Sequence, residues 1–259
     1  MGPRQVRDFL SAVALLTRLP VGGRGRESGE LTRSVMWIPV VGGLIGLVIG
    51  LAYVAAGSVM PSLLAAAVAI GVGLILTGAF HEDGLADTMD GFGGGVGPEE
   101  TMRIMKDPAS GVYGVAAIVM SLLLRILSIS LLSSTVALVF LPAIHAMSRG
   151  GSIGLMALLK PASTAGLGAA HEGLNLRRQA VTGCLLAVLI GVAMIGWWGA
   201  AFTILVALGA AAIGMMARRR IQGYTGDVLG AVQQVGEVTS LVLAAALASS
   251  GVYESLWWK

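Results

Sequence analysis

Long apolar stretches alternate with short polar segments along almost the whole chain. Stretches close to the ~20 residues that a helix needs to cross a bilayer are predicted as transmembrane helices. They lie at about 35–56, 61–80, 112–132, 135–159, 180–195, 200–216 and 238–252. The stretches are continuously apolar rather than alternating, which excludes an outer-membrane β-barrel. The pattern therefore predicts an all-α fold, a polytopic integral membrane helical bundle with about seven transmembrane helices.

The N-terminal part differs from the rest. Residues 4–17 form a short amphipathic pattern with charges near its start, too brief to span a membrane. It predicts a helix at the membrane interface, within an interfacial segment 1–34. Residues 1–259 are interpreted as a single membrane-embedded domain. The first span contains Gly42, Gly43, Gly46 and Gly50, and small residues at this spacing predict close packing against another helix.

Composition supports this class and narrows the function. Only 12% of residues are charged and 56% are hydrophobic, whereas soluble domains carry about 25% charged residues. The net charge of +3 is too small to indicate a nucleic-acid partner. The single cysteine, Cys184, lies in an apolar stretch, so neither a disulfide framework nor a thiolate metal site is expected. No secretory signal peptide is recognisable.

Basic residues predict the orientation. Of the 17 Lys and Arg residues, all but Arg125, Arg149 and Lys259 fall in segments 1–34, 81–111, 160–179 and 217–237. Positive residues favour the cytoplasmic side, so these segments are expected there. Arg125 lies in the middle of a span, and we expect it to have a partner inside the bundle, either in an ion pair or in a helix contact.

The densest group of ionisable residues is the stretch from His81 to Gly91. On a helix, Asp83, Asp87 and Asp90 would fall within about 60° of one another. Carboxylates placed so closely repel one another unless a cation neutralises them, and their oxygens suit Mg²⁺ or Mn²⁺ shared with a substrate phosphate. The alternative is a solvated turn after a hydrophobic helix, which would give no reason for this spacing.

A second polar motif runs from Gln222 to Ala231. Its Asp227 lies beside a membrane span, and acids in such positions are functional by default. The alternative is that Asp227 merely caps the last helix. A site built from Asp83, Asp87 and Asp90 together with Asp227 would resemble two-metal phosphoryl-transfer chemistry.

Two basic residues are candidates for phosphate contacts. Lys106, in the loop before the third span, offers a point charge, although it would serve equally as a positive-inside anchor. Arg149, one turn after His145 in the fourth span, would reach a phosphate or simply extend to the interface.

Several motifs resemble the cobalamin synthase family, also called adenosylcobinamide-GDP ribazoletransferase. They are HEDGLADTxDG from His81, MKDxxxGxYG from Met105 and GYTGDxLGA from Gly223. Thr17-Arg18-Leu19-Pro20 and Pro39-x-x-Gly42 are also similar. The resemblance extends in order from about residue 9 to 250. One departure is Pro108-Ala109-Ser110, where the family often has a basic or imidazole side chain.

The resemblance implies transfer of the adenosylcobinamide-phosphate moiety of adenosylcobinamide-GDP to a ribose hydroxyl of α-ribazole or its 5′-phosphate. The reaction releases GMP, requires Mg²⁺, and would occur at the cytoplasmic face of a bacterial inner membrane. The resemblance also implies metal ligands Asp83, Asp87, Asp90 and Asp227. It implies catalytic roles for Asp87, Asp90 and Lys106, with Asp87 or Asp90 as the base. The implied substrate contacts are His81, Glu82, Lys106, Asp107, Arg149, Tyr224 and Thr225. The lipid bilayer is the expected environment, and a homo-oligomer is left open.

Two other functions compete. A membrane phosphotransferase of the CDP-alcohol type also spaces aspartates along helices, but its motif has an arginine where this chain has Asp87. A cation-coupled transporter tends to have acids near the bilayer midplane and internal repeats, whereas these acids lie at span ends and no repeat is recognisable.

Overall fold

The computed structural model describes residues 2–21, 29–162 and 176–250. This part of the chain consists of helices, with one isolated bridge between Pro161 and Tyr224 as the β-pairing found in it. The predicted all-α class is confirmed. Most of the predicted polar connection 160–179 lies outside the described residues.

Eleven α-helices are found in the described ranges, together with one turn of 3₁₀-helix, Val35–Trp37, which joins the second and third. The α-helices are α1 Pro3–Leu16, α2 Glu30–Ser34, α3 Ile38–Gly57, α4 Ser62–Thr77, α5 Phe80–Gly94, α6 Pro98–Ile104, α7 Val112–Ser130, α8 Ser134–Leu158, α9 Leu176–Ile195, α10 Trp198–Arg220 and α11 Gly226–Ser250.

Six of the described helical segments are long and apolar enough to cross a membrane, and a seventh is added if α4 and α5 form one broken span. Large apolar side chains such as Ile75, Leu189 and Leu208 point outward with more than 60% of their surface exposed. Such exposure is unfavourable in water and natural in lipid. The predicted membrane bundle with about seven spans is therefore confirmed.

Helix α8 lies at the centre of the bundle and packs against α3, α9, α10 and α11. A Cβ atom on Gly42 of α3 would lie 2.6 Å from the carbonyl oxygen of His145 on α8. A Cβ atom on Gly46 would overlap the carbonyl oxygen of Leu141. Because only glycine permits this approach, the predicted small-residue contact of the first span is confirmed.

The amphipathic N-terminal helix is also present, as α1. Asp8 on its buried side accepts a hydrogen bond from Arg33 at 3.1 Å, and Ser11 donates one to Glu30 of α2. These contacts fix α1 against the start of the first span.

Between α4 and α5 the chain turns by 88°. Gly78 and Ala79 both have left-handed backbone angles, with φ of 66° and 55°. The side chain of Arg18 packs over Gly78 where a Cβ atom would stand, and its backbone N–H donates to the carbonyl of Leu76 at 2.8 Å. The left-handed pair therefore ends the span and starts α5 in a new direction.

The last helix begins before the predicted final span. The sequence predicts that span at about 238–252, with an earlier start left open, and α11 begins at Gly226. The polar side chains of Gln233, Gln234 and Glu237 are buried in the bundle. They continue the helix because they have partners inside the protein rather than in water.

Candidate active site

Glycines let α5 and α11 approach each other closely. A Cβ atom on Gly84 would lie 2.9 Å from the carbonyl oxygen of Asp227 and 3.0 Å from its Cα atom. On the facing helix, a Cβ atom on Gly230 would lie 3.4 Å from the Cα atom of Gly84. The first of these approaches excludes any larger residue without a backbone shift. The structure thus brings the two polar motifs together.

Carboxylates gather at this contact. Asp83 is exposed, while Asp87 and Asp227 are partly buried. The carboxylate of Asp87 is repelled most strongly by Asp83, then by Asp227 and Asp90. The acidic residues of both motifs therefore share one region of negative potential, which attracts a cation.

The donor set suits a magnesium ion that is shared with substrate. Among the described residues, no three His, Cys, Asp or Glu side chains form a ready-made group of metal ligands. Mg²⁺ usually keeps several waters and takes only one or two protein carboxylates together with substrate phosphates. This pattern suits Asp83, Asp87 and Asp227, because all three are carboxylates and they repel one another. They do not form a complete set of protein ligands around an ion.

Asp90 has structural contacts of its own. Its Oδ2 accepts a hydrogen bond from the backbone N–H of Gly111 at 2.7 Å, and its Oδ1 accepts one from Gly114 at 2.8 Å. A carboxylate at this place satisfies the free N–H groups at the start of α7. Asp90 therefore joins α5 to α7, and its predicted roles as metal ligand or base stay predictions.

Thr225, rather than Asp227, caps the last helix. Its hydroxyl accepts a hydrogen bond from the backbone N–H of Val228 at 3.3 Å and lies 3.3 Å from Asp227 Oδ2. The cap of this helix is therefore Thr225, and not Asp227 as the alternative interpretation requires. The Asp227 carboxylate lies beside Asp87. The predicted substrate contact of Thr225 is untested.

Lys106 and Asp107 are exposed in the turn that follows α6. Asp107 Oδ1 accepts a hydrogen bond from the backbone N–H of Ala109 at 2.9 Å, which shapes the turn. The same loop reaches the acidic cluster at Gly111 through Asp90. The predicted roles of Lys106 and Asp107 toward substrate stay predictions.

A buried network of charges adjoins the acidic cluster at Glu82, the residue before Asp83. Arg125 Nη1 is 2.6 Å from Glu82 Oε1, and its Nη2 is 2.8 Å from Glu237 Oε1. The predicted ion pair of Arg125 is confirmed. His145 and Arg149 approach the other oxygen of Glu237 at 3.3 and 3.7 Å. The network joins α5, α7, α8 and α11, and removal of one partner would leave another buried charge uncompensated.

Sequence reasoning missed the partners in this network. The sequence predicts Glu82 only as a substrate contact, yet its Oε1 also accepts a hydrogen bond from Gln234 at 3.0 Å. Its Oε2 has no hydrogen-bond partner within the described ranges, so a substrate contact through that oxygen stays a prediction. Glu237, which pairs with Arg125, lies outside the predicted site. The usable signal was that both acids adjoin apolar spans, where a charge needs a partner.

Two cavities border the first turn of α5. The larger, between α1, α4, α5 and α7, has a volume of about 600 Å³. Its polar lining includes Arg18, Thr77, Glu82 and Asp83. The smaller, on another face of α5, is a narrow space of about 70 Å³ and is lined by three predicted substrate contacts, His81, Arg149 and Tyr224.

Comparisons with known proteins agree on one family. A family model described as cobalamin-5-phosphate synthase matches residues 8–245. An adenosylcobinamide-GDP ribazoletransferase of Mesorhizobium japonicum is 38% identical over 96% of this chain and 97% of its own. Relatives with the same name from Bradyrhizobium diazoefficiens and Shewanella frigidimarina are 36% and 34% identical, covering 93% and 95% of this chain and 94% and 97% of their own. No solved structure matches the chain significantly.

Proposed function

This chain belongs to the cobalamin-5-phosphate synthase family, and we propose that it is an adenosylcobinamide-GDP ribazoletransferase. The proposed reaction transfers the adenosylcobinamide-phosphate moiety of adenosylcobinamide-GDP to a ribose hydroxyl of α-ribazole or its 5′-phosphate. The products are adenosylcobalamin, or its 5′-phosphate, and GMP. The family match over nearly the whole chain supports this assignment.

The observation that carries the proposal is the glycine-mediated contact of α5 with α11 beside the larger cavity. This contact brings the Asp227 end of α11 against α5, and Asp83 of α5 lines the larger cavity. A phosphoanhydride approaching there would meet Asp83, Asp87 and Asp227. Mg²⁺ held by these three carboxylates would neutralise charge on the pyrophosphate as it is cleaved.

The protein's own groups have distinct parts in the proposed reaction. The attacking ribose oxygen forms a bond to the phosphorus that carries the cobinamide, and the bond from that phosphorus to the GMP oxygen breaks. The proton of the hydroxyl passes to a carboxylate. Asp87 is the better acceptor of the two candidates, because both Asp90 oxygens already accept backbone hydrogen bonds.

We place the site on the cytoplasmic side of the bacterial inner membrane. The C-terminal end of α10 carries Arg218, Arg219 and Arg220. Arg220 donates a hydrogen bond to the carbonyl of Gly95, at the end of α5, at 2.9 Å. The acidic helix therefore shares its side of the bundle with a cluster of basic residues, which favours the cytoplasm.

The test is an assay of the full chain, purified and placed in liposomes, with adenosylcobinamide-GDP and α-ribazole. GMP release is followed with Mg²⁺, with EDTA, and with Mg²⁺ restored. We expect release that needs both substrates and stops with EDTA. A matched pair of variants, Asp87→Asn and the exposed Glu99→Gln, separates a site effect from a general loss of charge. Absence of GMP release by well-folded protein under all these conditions would overturn the proposal.

A further inference from the structure

The smaller cavity has an apolar wall and a polar end. Leu16 of α1 and Ile153 and Met156 of α8 form part of the wall. The polar groups come from His81, Arg149, Ser152 and Tyr224. Phe80 and Leu15 line this cavity and the larger one alike, so the two spaces share a border at the first turn of α5.

Tyr224 and Arg149 are both buried, and each has a hydrogen-bonding group that is unused. Tyr224 is 1% exposed and Arg149 is 2% exposed. Within the described part of the chain, the Tyr224 hydroxyl and the Arg149 Nε have no hydrogen-bond partner. An unpaired buried polar group costs about 1–3 kcal/mol, so each such group in a native structure calls for an explanation.

The backbone around Tyr224 fixes this side chain firmly. Its N–H donates to the carbonyl of Lys160 at 3.0 Å, and its carbonyl accepts from Ala162 at 2.9 Å. The preceding Gly223 is required, because a Cβ atom there would lie 2.5 Å from the Lys160 carbonyl oxygen. The backbone that carries Tyr224 is thus fixed by neighbouring residues, as a binding group requires, while its hydroxyl is without a partner among the described residues.

We propose that this cavity binds the heteroaromatic base of the nucleoside substrate, with a ring-nitrogen acceptor facing Tyr224 and Arg149. The inference rests on the proposed function and deepens it. A planar base would use the apolar wall for its faces and the two donors for its edge. The far larger corrinoid substrate is left to the larger cavity, which carries Glu82 and Asp83.

The position of the cavity suits the reaction. Gly226 and Gly230 line it and stand on either side of Asp227 in α11. A ribose attached to a base in the cavity would therefore emerge beside the carboxylates. The nucleoside and the nucleotide-activated corrinoid would reach the acidic cluster from two different faces of α5.

A lipid chain is the competing occupant. An acyl chain would suit the apolar wall, but it would leave both the Tyr224 hydroxyl and Arg149 Nε unpaired. A ring with an acceptor nitrogen satisfies at least one of them. The observations therefore favour the base, and the lipid becomes an outcome of the test.

The experiment uses two variants and two matched controls in the full chain. Tyr224→Phe removes one hydroxyl, and Met156→Trp fills the cavity. The first control is Tyr53→Phe, because the buried Tyr53 hydroxyl donates instead to the carbonyl of Leu132 at 3.0 Å. The second is Leu158→Trp, because Leu158 is on the same helix and lines a different, apolar cavity.

Two readouts are measured: steady-state KM for each substrate, and α-ribazole binding by calorimetry without Mg²⁺ or the corrinoid. We expect Tyr224→Phe to raise the KM and Kd for α-ribazole about three- to tenfold, as for one hydrogen bond. Met156→Trp should raise them by more than tenfold. The KM for adenosylcobinamide-GDP should change less than twofold in both variants, and the controls should match the parent protein in both substrates.

Unchanged α-ribazole affinity in both variants would overturn the inference, as would an equal rise in both KM values. Loss of a co-purified lipid from Met156→Trp, with α-ribazole binding intact, would assign the cavity to lipid instead. A parent protein that binds α-ribazole but releases no GMP would refute the proposed function alone. Active variants with parental KM values would refute the cavity assignment alone. Thermal melting identifies any variant that fails to fold, and the other variant then decides.

Discussion

Glu82 Oε1 lies 2.6 Å from Arg125 Nη1, although the two residues are 43 positions apart in the sequence. Arg125 also pairs with Glu237, so one guanidinium joins α5, α7 and α11. Glu82 directly precedes Asp83 in the acidic helix. The buried ion pair therefore helps to hold the helix that carries the acidic cluster against α7 and α11.

The first prediction concerns this pair. Arg125→Met should lower the free energy of unfolding by about 3–5 kcal/mol, because it leaves the buried Glu82 without its counter-charge and takes from Glu237 one of its positive partners. Thermal or denaturant unfolding of the protein in detergent measures the loss. The double variant with Glu82→Gln should recover part of it, because one of the uncompensated charges is then removed.

Arg103→Met is the matched control. Arg103 pairs with Glu100 at 3.8 Å, and its side chain is 68% exposed. Such surface pairs contribute about 0–1 kcal/mol, so the control should unfold almost as the parent does. Equal effects of the two substitutions would contradict the structural role of the Arg125 network.

The second prediction separates Asp90 from the other aspartates. Asp90→Asn should destabilise the protein by about 1.5–3 kcal/mol, since a charged acceptor with two backbone hydrogen bonds is replaced by an amide with one acceptor oxygen. Asp107→Asn is the control for stability, because the exposed Asp107 accepts only one local backbone hydrogen bond. Unfolding of both variants is compared with the parent without metal. An Asp90→Asn protein as stable as the parent would refute the capping role.

The spans and the acidic face could be predicted because they depend on local periodicity. Gly42 and Gly46 also indicated a close helix contact from spacing alone. The partners of Asp90 could not be predicted, since Gly111 and Gly114 lie 21 and 24 positions away and nothing local points to them. Likewise, the early start of α11 depends on buried partners for Gln234 and Glu237, and a polar pattern without those partners resembles a loop.

The third prediction concerns orientation. Ser110→Cys places a thiol in the exposed loop before α7, and Val59→Cys places one in the turn between α3 and α4, where Val59 is 80% exposed. In a Cys184→Ala background, a membrane-impermeant maleimide should label position 59 from outside intact cells. Position 110 should be labelled only after the membrane is opened, because basic residues favour the cytoplasmic side. The reverse pattern would contradict the orientation and the cytoplasmic site together.

The last prediction treats Asp83, Asp87 and Asp227 as one functional unit. Each single Asp→Asn change should lower turnover by about two orders of magnitude or more, as when a charge-stabilising group is removed from an active site.

Groups that act together are strongly non-additive. The double variant Asp87→Asn with Asp227→Asn should therefore lose little beyond either single one. The exposed Glu99→Gln should keep parental turnover, which excludes a general effect of removing negative charge.

The melting temperature provides an independent test of whether Asp83, Asp87 and Asp227 act together. Since the carboxylates repel one another, each Asp→Asn protein without metal should melt at or above the temperature of the metal-free parent. The parent should gain thermal stability with added Mg²⁺, by mass action on the folded state, and the variants should gain less. The carboxylates would act separately if the single variants retained substantial turnover and their losses multiplied in the double variant. An unchanged response of the melting temperature to Mg²⁺ would complete that result.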